Sequence, residues 1–191
     1  MKMKRTVLLV ALICILPSAA AAATPAPALF FEDLQSGPNA GGESVSGYAG
    51  SYVTLYGNFF GATQGSSTVT LNGASCLRVV SWGSNYLWYQ KLVVQLGPTC
   101  ASGNFAVTVG GQSSNTLPFA VRTGNIYCVA TSGSDSASGK FPSCWQSIPH
   151  AAGSIAAGDI AYVRNGVIAG ADTGYGSPLD ISGLNGTLAS P

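Results

Sequence analysis

The chain has 191 residues, including 25 glycines, and only 8% of its residues are charged. Once an N-terminal leader containing Lys2, Lys4 and Arg5 is set aside, five basic residues face seven acidic ones, a net charge of −2. No basic stripe remains to neutralise phosphates, so nucleic-acid binding is not expected. Abundant glycine and sparse charge together predict a β-rich protein with many turns.

Residues 1–23 have the three parts of a Sec-type signal peptide. A basic start, "MKMKR", precedes the apolar run "TVLLVALICIL" and the small residues "PSAAAAA", which predicts cleavage after Ala23. The apolar run is shorter than the roughly 20 residues that span a bilayer, so no membrane span is predicted in the mature chain. A lipoprotein leader is the alternative, but Ile13 before Cys14 is not the small residue it needs. We therefore expect a bacterial protein that is secreted, periplasmic or on the cell surface.

The mature chain contains four cysteines, which are Cys76, Cys100, Cys128 and Cys144. In an exported protein this number predicts two disulfides, for which three pairings exist. Their order along the chain favours Cys76–Cys100 and Cys128–Cys144. A zinc site is not predicted, because no C-x-x-C spacing occurs and His150 is the only histidine.

Residues 24–123 contain several short strand patterns. "YVTLYG" at residues 52–57 alternates apolar and polar positions, and "STVTLNGASCLRVVSW" predicts a hairpin across Asn72 and Gly73, which both tolerate positive φ. The segments "LWYQKLVVQL", "NFAVTVGG" and "NTLPFAVR" follow. About seven strands with no helical periodicity predict a small antiparallel β-sandwich.

This first segment resembles an IPT/TIG domain. The resemblance lies in a Gly-Pro near the start, the "GxxFG" turn and a later "SGxxxVxV" stretch; the matching residues are Gly57, Phe60, Gly61, Ser102, Gly103, Val107 and Val109. It implies an immunoglobulin-like fold but says little about function, because the shared residues are turn residues. Some members have a cysteine pair at positions like Cys76 and Cys100.

After a short hinge at Thr123 and Gly124, residues 124–191 follow a different pattern. The order is strand, long loop, short helix, Gly-Asp turn and strand. The helix is predicted from apolar spacing that ends before Gly158, with Pro149 fitting only its first turn. The residues that give this spacing are Ile148, Ala151, Ala152 and Ile155.

This second segment resembles the N-terminal cap and first coil of a right-handed parallel β-helix of the pectate-lyase-like kind. "YCVATSGSDSASG", Phe141-Pro142, "WQSI" and "AGDIAYVRNGVIAG" carry the resemblance. It implies that Cys128–Cys144 fastens the cap to the first strand. A coil takes roughly 20–25 residues and about three are needed for stability, so we expect an incomplete, truncated β-helix. The predicted fold class is therefore mainly β: a sandwich followed by a capped β-helix start with one short helix.

No catalytic residue is predicted in this chain. The acidic residues Asp135, Asp159, Asp172 and Asp180 are scattered without the spacing of a metal site. The favoured interpretation of Asp135 is an Asx-type turn, and a calcium ligand is the alternative; otherwise no cofactor is expected. Lys140, Arg164 and His150 lack partners at recognisable spacing. Lys140 and Arg164 are interpreted as solvated charges on a loop or turn, and His150 as a surface or capping histidine.

The stretch "SWGSNYLWYQ" is the candidate binding site. Trp82, Tyr86, Trp88 and Tyr89 could form a flat surface for stacking sugar rings. The competing interpretation is that Trp82 and Trp88 pack inside the sandwich.

Three functions fit these patterns. The first is a secreted or cell-surface modular protein that contacts carbohydrate or another surface, with a polysaccharide or cell-surface glycan as its partner. The second is the N-terminal fragment of a β-helix polysaccharide lyase or epimerase whose active coils lie beyond residue 191. The third is a structural, adhesin-like stalk. The chain as given is not expected to be an enzyme.

Overall fold

A computed structural model describes residues 24–167, which form eleven β-strands and one short α-helix. The predicted signal peptide, Asp172, Asp180 and the end of the predicted β-helix lie outside this range. In chain order the elements are β1 Ala28–Glu32, β2 Ser36–Gly37, β3 Tyr52–Asn58, β4 Thr68–Leu71, β5 Leu77–Tyr86, β6 Tyr89–Leu96, β7 Gly103–Val109, β8 Gln112–Ser113, β9 Leu117–Val121, β10 Ile126–Val129, α1 Ile148–Ser154 and β11 Ile160–Val163.

The first sheet is antiparallel and has the strand order β1-β3-β6-β5. Along β3 and β6 the side chains alternate between a buried and a more exposed face, as the pleat of a strand requires. Val53 pairs with Val94 and Leu55 with Leu92, and all four are fully buried. These pairs place the inner face of the sheet in the core.

The second sheet has the order β2-β9-β7-β4, with β8 paired to β7. Its pairs are antiparallel except β2–β9, which is parallel. Phe105, Val107 and Leu71 from this sheet are fully buried in the same hydrophobic cluster as the inner face of the first sheet. A disulfide between Cys76 and Cys100, with Cα atoms 5.2 Å apart, belongs to that cluster. The mainly β prediction is confirmed.

The predicted hairpin across Asn72 and Gly73 is wrong, although the turn exists. Both residues have positive φ, 52° and 72°, and the turn closes through one backbone pair between Leu71 and Ala74. The strands then separate, because β4 pairs with β7 while β5 pairs with β6. Leu71 on β4 and Cys76 just before β5 both lie in the shared core. The Asn72-Gly73 turn therefore connects the two sheets and does not form a hairpin within one of them.

Residues 124–167 contain β10, α1 and β11, and the two strands pair in parallel. The second predicted disulfide, Cys128–Cys144, is also present. Helix α1 has Pro149 in its first turn, as predicted, and its N-cap is Ser147. It ends at Ser154, earlier than the apolar spacing predicted, because Ile155 is already extended.

The second segment and the loop at Glu43 together cover part of the outer face of the first sheet. The backbone N–H of Tyr52 donates to the Tyr162 hydroxyl at 2.8 Å, and the two rings meet edge to face. The side chain of Gln95, opposite Tyr52, is fully buried and donates to the Glu43 carbonyl at 2.9 Å. One half of the outer face is thus covered, while the half nearer the β5–β6 turn is open.

Candidate functional site

The open half of the outer face carries five aromatic side chains that contact one another. We call this cluster the aromatic face; its members are Phe31, Tyr56, Tyr86, Trp88 and Tyr89. The cluster forms because β3, β6 and the end of β5 are neighbours, with Tyr86 paired to Tyr89 and Tyr56 paired to Lys91. Strand alternation turns the Tyr56 and Tyr89 rings away from the core. Phe31 follows a shift of register in β1 and pairs with Tyr56, and Trp88 lies in the turn between β5 and β6.

Tyr89 is the centre of the aromatic face, since its ring meets those of the other four members. The centroid distances are 5.8 Å to Phe31, 5.7 Å to Tyr56, 5.6 Å to Tyr86 and 5.8 Å to Trp88. All lie in the range of favourable aromatic pairs. The cluster is therefore a packed group of rings held on the backbone of the sheet. Because these contacts already order the side chains, binding a ligand would cost them little further conformational entropy.

The turn between β5 and β6 exposes the largest apolar side chains of the face. Trp88 is 81% exposed and the adjacent Leu87 is 71% exposed, on a backbone whose φ is 56° at Leu87. A bulky residue in this left-handed region is uncommon. Exposed apolar side chains grouped in this way are typical of an interaction site.

Polar groups border the rings. The ammonium of Lys91 lies 5.4 Å from the centroid of the Tyr86 ring, a cation–π distance. Burial raises the pKa of Tyr56, and the nearby Asp33 carboxylate raises it further. Tyr56 is therefore a neutral phenol at physiological pH, able to donate a hydrogen bond.

The structure brings three of the four predicted stacking residues together and separates the fourth. Tyr86 and Trp88 both contact Tyr89. Trp82 instead packs against the core, with its ring beside that of Phe60, and its indole N–H donates to the Phe60 carbonyl at 3.0 Å. The plane of the Tyr89 ring makes an angle of 47° with that of Tyr86 and 89° with that of Trp88, so these rings do not form the predicted flat surface.

The sequence patterns do not predict Phe31 and Tyr56 as members of the site. Tyr56 is at a polar position of the alternating β3 pattern, which was a signal that it faces outward. Its neighbours depend on which strands pair, and the pairing of β3 with both β1 and β6 is not encoded in any local pattern.

Asp135, the alternative calcium ligand, makes hydrogen bonds that organise the loop before α1. One carboxylate oxygen accepts from the backbone N–H groups of Gln146 and Ser147 at 2.9 Å, and the other accepts from the Ser147 hydroxyl at 2.6 Å. Bonds from the Ser147 hydroxyl and backbone lower the pKa of Asp135. Within residues 24–167 no three His, Cys, Asp or Glu side chains are grouped to hold a metal ion.

Asp159 has a related role at the junction of the two segments. One of its oxygens accepts from the backbone and side-chain nitrogens of Asn125, and the other accepts from the backbone of Ala156. Although desolvation acts to raise its pKa, these bonds and the nearby Arg122 lower the pKa overall. The carboxylate therefore fastens the Gly-Asp turn to the start of β10, as well as closing the turn.

The other charged candidates are dispersed. Arg164 pairs with Glu43 at 2.8 Å, although 121 residues separate them, and both side chains are about half exposed. Together they border a shallow cleft of about 860 Å³ against the 130–144 loop. The His150 ring meets Trp145 edge to face, and Lys140 is exposed.

No protein-family model matches this chain, and neither the curated proteins nor the solved structures contain a match. Within the described residues no helix is long and apolar enough to cross a bilayer.

Proposed function

We propose that this protein is a secreted or cell-surface modular protein that binds carbohydrate through the aromatic face. The observation that carries the proposal is the group of five mutually packed rings left open on the first sheet. Aromatic rings stack on the apolar C–H faces of sugars, while tyrosine hydroxyls bond to sugar hydroxyls.

The scaffold supports the same proposal. Two sheets that share one core and a buried disulfide are compatible with an immunoglobulin-like domain of the IPT/TIG kind. The parallel pairing of β10 with β11 supports a β-helix opening in the second segment. Two disulfides accord with export through the proposed signal peptide, and mass spectrometry of the exported protein should find residue 24 at its N-terminus.

A glycan array probed with the mature protein tests the function, and Phe31 and Phe30 provide a matched pair of variants. They are adjacent on β1 and almost equally exposed, at 45% and 48%, but Phe31 alone belongs to the aromatic face. Phe31→Ser should weaken glycan binding about tenfold, the loss expected for one stacked ring.

Phe30→Ser removes the same amount of exposed apolar surface and should leave binding unchanged. Equal loss in both variants, or no glycan bound by the wild-type protein, would contradict the proposal. Thermal unfolding of both variants checks that each is folded.

A further inference from the structure

We propose that the aromatic face takes a single hydrated glycan chain rather than the flat surface of a crystalline polysaccharide. This inference rests on the carbohydrate-binding function proposed above and specifies the form of carbohydrate. It follows from the angles between the rings, from the groups at their margins and from the absence of a common plane.

Three of the four rings around Tyr89 are turned steeply against it, and the fourth, Tyr86, is inclined by 47°. The planes of Tyr56 and Trp88 each make an angle of 89° with the Tyr89 ring, and the plane of Phe31 makes 79°. A crystalline polysaccharide presents many parallel sugar faces in one plane. Rings at right angles to one another cannot all lie against that plane, so a crystal face would contact only part of the cluster.

The one nearly parallel pair does not supply a flat platform either. Phe31 and Tyr56 are inclined by 22°, but their centroids are 4.7 Å apart because they stack on each other. Each ring therefore covers one face of its partner. A stacked pair offers its edges and two outer faces that point in opposite directions, which suits single sugar units rather than a row of them in one plane.

A single glycan chain can satisfy this arrangement because it rotates at every glycosidic linkage. Consecutive ring centroids from Trp88 through Tyr89 to Phe31 are each 5.8 Å apart, a step comparable to the size of one sugar ring. Successive sugars could then meet successive rings, each turned to its own angle. This is the packing that a chain free in solution can adopt and a chain fixed in a crystal cannot.

The margin of the face also favours a hydrated chain. Three of its five rings are tyrosines, whose hydroxyls both donate and accept, and Lys91 adds an ammonium beside Tyr86. These groups need sugar hydroxyls that are free to bond. In a crystalline polysaccharide many of those hydroxyls are already bonded to neighbouring chains.

A lipid surface fits the same residues less well. The exposed Leu87 and Trp88 could enter an apolar phase, but among residues 24–167 Lys91 is the one basic residue placed over a ring of the aromatic face. Binding to anionic membranes gains strength from clusters of Lys and Arg, and the mature chain has a net charge of −2.

The test compares soluble and crystalline polysaccharides with the whole mature chain. Affinity electrophoresis in gels containing xylan, glucomannan or hydroxyethylcellulose measures binding to single chains. Pull-down with microcrystalline cellulose and crystalline chitin measures binding to flat surfaces. We expect retardation by at least one soluble polysaccharide, about tenfold weaker in Trp88→Ala, and no depletion by either crystalline material.

The outcomes separate this inference from the function on which it depends. Depletion by the crystalline materials without retardation in any gel would overturn the inference and leave carbohydrate binding standing. Binding to neither form would overturn both. Vesicle binding or dimer formation that Trp88→Ala abolishes, with no glycan bound, would assign the face to a membrane or to a second copy and would also overturn both.

Discussion

Tyr162 joins the second segment to the first sheet, and its titration should make the stability of the protein depend on alkaline pH. Burial raises the pKa of its phenol from 10.0 to about 12. In the unfolded chain the phenol loses its proton near pH 10, whereas in the folded protein it keeps the proton until about pH 12. The free energy of unfolding therefore falls as pH rises through this window.

The size of the effect follows from the shift. A shift of one pKa unit corresponds to about 1.4 kcal/mol. Between the two pKa values, each rise of one pH unit therefore lowers the free energy of unfolding by nearly that amount. Since the phenol is only partly buried, we reduce the expected loss between about pH 9 and pH 11 to roughly 1 kcal/mol. The variant Tyr162→Phe keeps the ring on Tyr52 but has no proton to lose.

Denaturant unfolding of the wild-type protein and Tyr162→Phe across this pH range measures the effect. The variant should be less stable at pH 9 by about 1–3 kcal/mol, because the Tyr52 N–H loses its acceptor. The difference in the free energy of unfolding between the two proteins should then decrease by about 1 kcal/mol as the pH is raised to 11, because only the wild-type protein is destabilised. Tyr86→Phe, which removes an exposed phenol, controls for the loss of a tyrosine as such. Parallel pH curves for the wild-type protein and Tyr162→Phe would refute the reasoning.

Three further changes test the scaffold by denaturant unfolding. Replacing Cys76 and Cys100 together by alanine opens a loop with a sequence separation of 24 and should cost roughly 3–4 kcal/mol; an unchanged midpoint would argue against this. Gly139→Ala should destabilise strongly, because φ is +73° and a Cβ would overlap the Trp145 ring; wild-type stability would contradict that placement. Gly153→Ala in α1 meets open space and should stabilise by about 0.5 kcal/mol; clear destabilisation would show that the helix end is packed differently.

Local chemistry was sufficient to predict several turns and strands. β3 was anticipated at residues 52–57 from its alternation and occurs as Tyr52–Asn58. Within the "GxxFG" turn, a Cβ at Gly57 would overlap the Ala28 carbonyl, Phe60 is fully buried and Gly61 has φ of +79°. Such requirements act on one or two residues at a time, so the sequence displays them directly.

Partnerships between distant strands could not be predicted in this way. The Asn72-Gly73 turn has the expected backbone, but its flanking strands belong to different sheets because of pairings with β6 and β7. The same limitation affected the candidate site. Tyr86 and Trp88 are close in sequence and were found, whereas Phe31 and Tyr56 reach them only through the pairing of β1, β3 and β6.

The outer face of the first sheet has mechanical consequences as well. Strand β6 lies between β3 and β5, with Tyr89 of the aromatic face at one end and Gln95 of the covered half near the other. A pull on a ligand held at Tyr89 would run along the backbone of β6 and load its hydrogen bonds to both neighbours in shear. That tension would reach the contacts of Gln95 and Tyr52 with the loop at Glu43 and with Tyr162. Through Gln95 and its pairing with Tyr52, this inner strand thus connects the open aromatic rings mechanically to the loop at Glu43 and to the second segment.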